Sequence, residues 1–101
     1  MITIERTTQK VRPGKWATLE EIDKRVNEIE LQNGFPAKKR YKFVVGAEDS
    51  NTLIIKRQWD CLAVLESTNE KVMAIPEYQA LGQELDEILE SSRTDLLMPQ
   101  L

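Results

Sequence analysis

The sequence predicts an α+β domain in which a four-stranded antiparallel sheet carries helices on one face. Three observations predict it. The hydrophobic period runs at two, shifts to about three-and-a-half, returns to two twice, becomes helical again and ends on a short apolar run, which is the order β-α-β-β-α-β. Turn-forming strings, Asn33-Gly34 and Gly46-Ala47-Glu48-Asp49-Ser50-Asn51, fall between those segments. The chain has 101 residues, 41% hydrophobic and 31% charged, which suits one soluble domain with one core.

The first strand is expected over Ile2–Val11, with Ile2 and Ile4 on one face and Thr3, Glu5 and Thr7 on the other. Arg12-Pro13-Gly14-Lys15 ends it, and Pro13 suits a first helical turn, where its missing N–H goes unused. The first helix then shows one apolar stripe, Trp16, Leu19, Ile22, Val26 and Ile29. Thr18 and Glu21 offer a capping box and so a second, later start. Asn33-Gly34 supplies a left-handed cap at its end, and Pro36 prevents continuation.

The second strand is expected over Lys38–Val45, with Tyr41, Phe43 and Val45 on one face and Arg40, Lys42 and Val44 on the other. A hairpin loop leads to the third strand, Thr52–Trp59, where Leu53, Ile55, Arg57 and Trp59 alternate with Ile54, Lys56 and Gln58. Asp60 is expected to cap the next helix, with Trp59 and Val64 as its hydrophobic staple. That helix turns Leu62, Leu65, Val72 and Met73 toward the core and breaks at Pro76. A further helix follows, with Glu77 at its positive end and Leu81, Leu85, Ile88 and Leu89 as its stripe. Arg93–Met98 forms the last strand.

Composition excludes several classes. No apolar run approaches the roughly 20 residues of a membrane span. Met1–Arg6 lacks the basic and apolar regions of a signal peptide. One cysteine forms no internal disulfide, and the chain has no histidine. The expectation is a cytoplasmic protein without metal or cofactor. Lys38-Lys39-Arg40 invites a nucleic-acid reading, but no stacking aromatics stand on the first strand and the domain is acidic overall, so no nucleic-acid partner is expected. Cys61 has Asp60 beside it and no base, which marks a structural cysteine. Trp16, Trp59, Tyr41 and Phe43 are expected in the core. The carboxylates Glu20, Glu21 and Asp23, like Glu84, Asp86 and Glu87, read as solvated helix faces.

The net charge of −3 is unevenly spread. Residues 1–12 and 34–59, the strand segments, carry nine Lys/Arg against three Asp/Glu. The remaining residues carry five against fourteen. If the helices cover the Ile4, Phe43, Leu53 and Ile55 face, then Glu5, Arg40, Lys42, Lys56 and Gln58 share the opposite face and form the candidate ligand-binding set. Three readings of that face stand: a solvated sheet, a dimer interface with internal salt bridges such as Glu5 to Lys42, and a polar pocket for a small anionic or polar ligand.

Several strings resemble a known family. Pro13-Gly14-Lys15-Trp16 opens the first helix, Thr52-Leu53-Ile54-Ile55 leads to Trp59, and Pro76-Glu77-Tyr78-Gln79-Ala80-Leu81 lies late in the chain. With the order of elements, they resemble the NIPSNAP-like proteins of the dimeric α/β-barrel group of ferredoxin-like folds. The resemblance implies a homodimer whose two sheets face each other, and no established reaction. Related monooxygenases of antibiotic biosynthesis use the fold as a cofactor-free oxidation chamber. Related haem-degrading proteins rely on a histidine that this chain lacks. The expected function is a small dimeric binding or interaction module. The alternative is a cofactor-independent monooxygenase or isomerase acting on a small polar aromatic.

Overall fold

The computed structural model describes residues 1–100. Its elements are β1 (Thr3–Val11), α1 (Trp16–Gln32), β2 (Lys39–Lys42), β3 (Thr52–Trp59), α2 (Leu62–Met73), α3 (Pro76–Ile88) and β4 (Leu89–Leu97). The strands form one sheet in the order β2-β3-β1-β4, with every neighbouring pair antiparallel. This is the expected ferredoxin-like α+β fold, and its second helical region does break before Pro76, which occupies the first turn of α3.

The turns follow from the sequence. Lys15 donates its backbone N–H to the Arg12 carbonyl, and Gly14 sits at φ +78°, so Arg12–Lys15 is a type II turn with Pro13 and Gly14 at its centre. Pro13 therefore belongs to the turn, not to the helix. α1 starts ahead of Thr18, so Thr18 and Glu21 lie inside it and not at its cap. Its end is as expected: Gly34 adopts φ +92°, Gly34 donates to the Leu31 carbonyl, and Phe35 reaches back to Glu30. That closure turns Phe35 into the interior, edge-on to Trp59 with ring centroids 5.1 Å apart.

Three boundaries differ from expectation. β2 ends at Lys42, because Lys42 already pairs with Leu53 and only Thr52 remains of β3 beyond it. Val44 and Val45 leave the sheet and are 93% and 89% exposed. The N-cap of α2 is Cys61, extended at φ −163° and without a side-chain cap bond, so Asp60 lies one residue outside. The expected staple of Trp59 and Val64 is not made: Val64 is exposed, Asp60 precedes the cap, and Leu65 packs against the cluster that holds Trp59; Leu62 and Met73 also face solvent. Finally, α3 passes into β4 at Leu89 with no loop, so β4 starts four residues before Arg93.

The helices cover one face of the sheet with two apolar clusters. One joins Val11, Leu19, Leu53, Ile55, Ile88 and Leu89. The other joins Phe35, Trp59 and Val72, with Leu65, Ile75 and Tyr78 against it. Register fixes which strand residues look at them. Thr3, Glu5, Thr7 and Gln9 pair with Trp59, Arg57, Ile55 and Leu53, so they share the helix-covered face, while Ile4 pairs with Gln58 on the open face. Arg40 and Lys42 pair with Ile55 and Leu53 and are also on the covered side, which leaves Tyr41, opposite Ile54, on the open one. The expected placement of Leu53, Ile55 and Trp59 holds. That of Ile4, Tyr41, Glu5, Arg40 and Lys42 is reversed, because the covered face of β1 and β2 is polar: Glu20 of α1 meets Arg40, and Arg57 of β3 meets Glu5. Phe43, expected on the covered face as well, lies beyond β2 and lines a cavity with Ile54 and Lys56.

Val72 is fully buried, and Val72→Ala should cost about 2–3 kcal/mol for the two methyl groups lost and the space they leave. Asp60→Ala, at a position outside the cap, should stay within about 0.5 kcal/mol. Urea unfolding midpoints at equal slope read both; a larger loss for Asp60→Ala would restore it as the cap.

Candidate functional site

Between the two apolar clusters lies a chain of alternating charges. α1 presents Glu20, Asp23 and Glu30 along one stripe, three and seven residues apart, toward the sheet. Arg57 of β3 donates to Glu30 at 2.5 Å and to Glu5 of β1 at 3.3 Å. Lys38, just before β2, bridges Asp23 at 2.5 Å and Glu30 at 3.7 Å. Arg40 of β2 grips Glu20 through two bonds of 2.9 and 2.6 Å. Tyr78 of α3 donates its hydroxyl to the second Glu30 oxygen at 2.7 Å, and the Trp59 indole donates to Glu5 at 3.1 Å.

These groups are removed from water to different degrees. The side chains of Glu30, Lys38 and Arg57 are 5, 6 and 8% exposed, and Glu5 is 18% exposed. Glu20, at the outer end, is 54% exposed. Such buried charges are tolerated only when each is paired and hydrogen-bonded. The alternation of acid and base achieves this, apart from Arg40 Nε and Arg57 Nε, which have no hydrogen-bond partner. The Arg40 hydrogen bonds hold the Glu20 carboxyl below its ordinary range. Burial first, then the nearby Glu30 charge, pushes the Tyr78 hydroxyl above its ordinary value of 10.0, so the phenol stays protonated.

Where this network meets α2, a cavity of about 340 Å³ opens on the covered side. Phe35 and Trp59 form aromatic walls, and Leu65 and Leu96 apolar ones. Glu5, Asn69 and Thr94 supply its polar groups. Glu5 is the anchored one, because Arg57 and Trp59 both bond its Oε1. A carboxylate so fixed, beside two aromatic faces, can accept hydrogen bonds from a hydroxyl or amine on a flat apolar ligand. The described residues contain no group of His, Cys, Asp and Glu arranged to hold a metal ion. No helix among them is long and apolar enough to cross a membrane.

The five residues expected to share one surface are divided. Glu5 lines this cavity. Arg40 is committed to Glu20, and Lys42 lies over the Trp16 ring, 4.7 Å from its centroid. Lys56 and Gln58 stand on the open face. The expected Glu5–Lys42 bridge is replaced by Glu5–Arg57. Sequence reasoning passed over Glu30, Lys38, Asp23, Arg57 and Tyr78. Two signals pointed to them: a charged Arg57 inside the apolar alternation of β3, and basic strands beside an acidic first helix. Glu20 and Asp23 are ion-pair partners, not a purely solvated face.

No protein-family model matches the chain, and no curated protein matches it. Solved structures do. A NIPSNAP family protein from Agrobacterium tumefaciens superposes with a TM-score of 0.83 at 18% identity, over 99% of this chain and 94% of that one. An uncharacterized NIPSNAP domain protein from Burkholderia xenovorans gives 0.81 at 19% identity, over 97% and 94%. A cofactor-independent oxygenase from Streptomyces nogalater gives 0.72 at 13% identity, over 99% and 94%. The chain thus has the fold of solved NIPSNAP proteins, as its residues led one to expect.

Two tests address the network. Arg57→Met strands two acids and should cost about 3–5 kcal/mol. Arg25→Met breaks an exposed bidentate pair with Glu77, at 2.6 and 2.7 Å, and should cost no more than about 1 kcal/mol. Equal losses in urea unfolding would deny the buried network its weight. For Tyr78, the unfolded chain ionises near pH 10 while the folded chain keeps its proton, so stability falls as pH rises past 10. Tyr78→Phe should flatten that alkaline decline by up to about 1.4 kcal/mol per pH unit, the slope of one proton. Parallel declines in parent and variant would show the phenol to be unperturbed.

Proposed function

We propose that this chain is a cytoplasmic homodimeric module that binds a small polar aromatic ligand between sheet and helices, with Glu5 as the anchoring acceptor. The observation that carries this reading is the Glu5 carboxylate, fixed by Arg57 and Trp59 at the edge of the 340 Å³ cavity. Its free thiol, Cys61, suits a reducing compartment.

The dimer reading is supported by the open face. The molecule measures 38 × 37 × 17 Å, a slab with one broad side uncovered by helices. Its accessible surface is 6625 Å², against about 5,900 Å² for a compact monomer of this mass. A stable interface needs about 800 Å² from each partner, which a face of these dimensions supplies. Tyr41 and Leu97 on that face are 49% and 39% exposed, and the Val44–Val45 arm projects beside it.

A second reading, a cofactor-independent monooxygenase or isomerase, is favoured by one observation: an oxygenase of this description shares the fold. It would use the same cavity, with the ligand as substrate.

Titration of simple phenols and anilines into a Trp16→Phe background, which leaves Trp59 as the one indole, tests the module. Saturable quenching is expected, weakened at least tenfold, about 1.4 kcal/mol, by Glu5→Gln. Sedimentation should show a dimer at micromolar protein in both. Ligand-dependent oxygen uptake would select the oxygenase. Absence of saturable quenching across the panel would remove the cavity reading, and a monomer at all concentrations would remove the dimer.

A further inference from the structure

The covered face balances its charges; the open face does not. One row of directly paired residues crosses the whole sheet there: Lys39 of β2 opposite Lys56 of β3, Lys56 opposite Arg6 of β1, and Arg6 opposite Asp95 of β4. Three cations stand side by side with one carboxylate at the end. Like charges directly opposite each other across strands are unfavourable. Asp95 is, moreover, shared, 3.1 Å from Arg6 and 3.6 Å from Arg93. Among the described residues Lys39 and Lys56 have no carboxylate in ion-pairing distance; Lys56 instead lies 5.8 Å from the centre of the Tyr41 ring. Arg6 Nε is buried without a hydrogen-bond partner.

The row borders a cavity of about 330 Å³ into which Arg6, Lys56 and Arg93 converge, with the Thr8 side chain among them. Glu48, in the β2–β3 loop, is the acid that lines it. We infer that this cavity is an anion site for a small ligand carrying two or more carboxylate or phosphate groups. Lys56 supplies donors that no carboxylate among the described residues accepts, and Arg6 and Arg93 share the single carboxylate of Asp95, Arg93 only at long range. Charge-assisted bonds to an oxyanion satisfy all three.

The site also bears on assembly, and this step rests on the proposed dimer. A two-fold interface sets the same patch against itself. Two such rows brought together would bury uncompensated cations, which is costly. A bound polyanion, shared by both copies, removes that cost, so the anion becomes part of the interface.

Inorganic phosphate is the probe, compared with chloride at matched ionic strength, by calorimetry and by sedimentation. Saturable phosphate binding is expected, weakened roughly tenfold in Lys56→Gln and less than about twofold in Lys24→Gln, an exposed cation on α1. Dimerisation should tighten with phosphate in the parent and not in Lys56→Gln. Binding that depends on Lys56 in a chain that stays monomeric keeps the site and removes the dimer. A dimer with no saturable phosphate binding overturns the site and leaves the dimer standing, its cations then met by the partner's own carboxylates. Equal weakening in Lys24→Gln overturns the site as diffuse charge attraction.

Discussion

The pairing of Arg57 with Glu30 and Glu5 is the constraint on which the rest of the molecule depends. It ties α1 to the two central strands at the point where the apolar core is interrupted. Arg57 follows Ile55 and precedes Trp59 on the covered face of β3, so its guanidinium has no route to water that keeps its neighbours buried. A slip of β3 by one residue would turn Arg57 outward, strand Glu30 and Glu5, and expose Leu53, Ile55 and Trp59 together. Register is therefore set by charge and by apolar burial at once. A buried ion pair gives little net stability compared with apolar residues of the same size, because desolvation offsets the attraction. Its weight here is positional: it selects one register and one seating of α1.

The same network explains how a polar group comes to be held rigidly at the cavity. Phe35 is delivered by the left-handed cap at Gly34 and stacks edge-on against Trp59, while the Arg57 guanidinium lies 5.0 Å from the Phe35 ring centre. Trp59 in turn directs its indole N–H at Glu5. Helix cap, aromatic pair and ion pair thus converge on one carboxylate. Side chains locked by packing and by further hydrogen bonds are what a binding site requires of its supporting residues.

Element order and type were legible because hydrophobic period survives in short, well-punctuated segments; Asn33-Gly34 and Pro76 marked their boundaries unambiguously. The face assignment of β1 and β2 was not. Alternation separates Ile4 from Glu5 and Tyr41 from Arg40, but it does not say which set is covered. The usual rule puts the apolar set inward, and here carboxylates of α1 beneath β2, and Arg57 of β3 beside Glu5 of β1, reverse it. The excess of base in the strands and of acid in the helices was the visible trace of this exchange. It could be read only by setting the acidic stripe of α1 against the basic positions that the sheet brings beneath it. The expected cap at Asp60 fails for a smaller reason. Cap preference ranks residue types, and the extended backbone of Cys61 took the position without using a side-chain bond.

The two faces of the sheet end with opposite electrostatic economies. Beneath the helices the buried carboxylates each meet a base, so that surface is closed to further charge, and the cavity there is walled by aromatic rings with Glu5, Asn69 and Thr94 as its polar groups. On the open side Lys39, Lys56 and Arg6 line up with a single acid, so that surface still has charge to satisfy. A four-stranded sheet this thin cannot separate its faces by distance: the slab is 17 Å deep, and Lys56 and Arg57 are adjacent in sequence while pointing in opposite directions. Pleating alone keeps the balanced network and the unbalanced row apart. β3 is the strand that takes part in both, with Arg57 in the covered network and Lys56 in the open row.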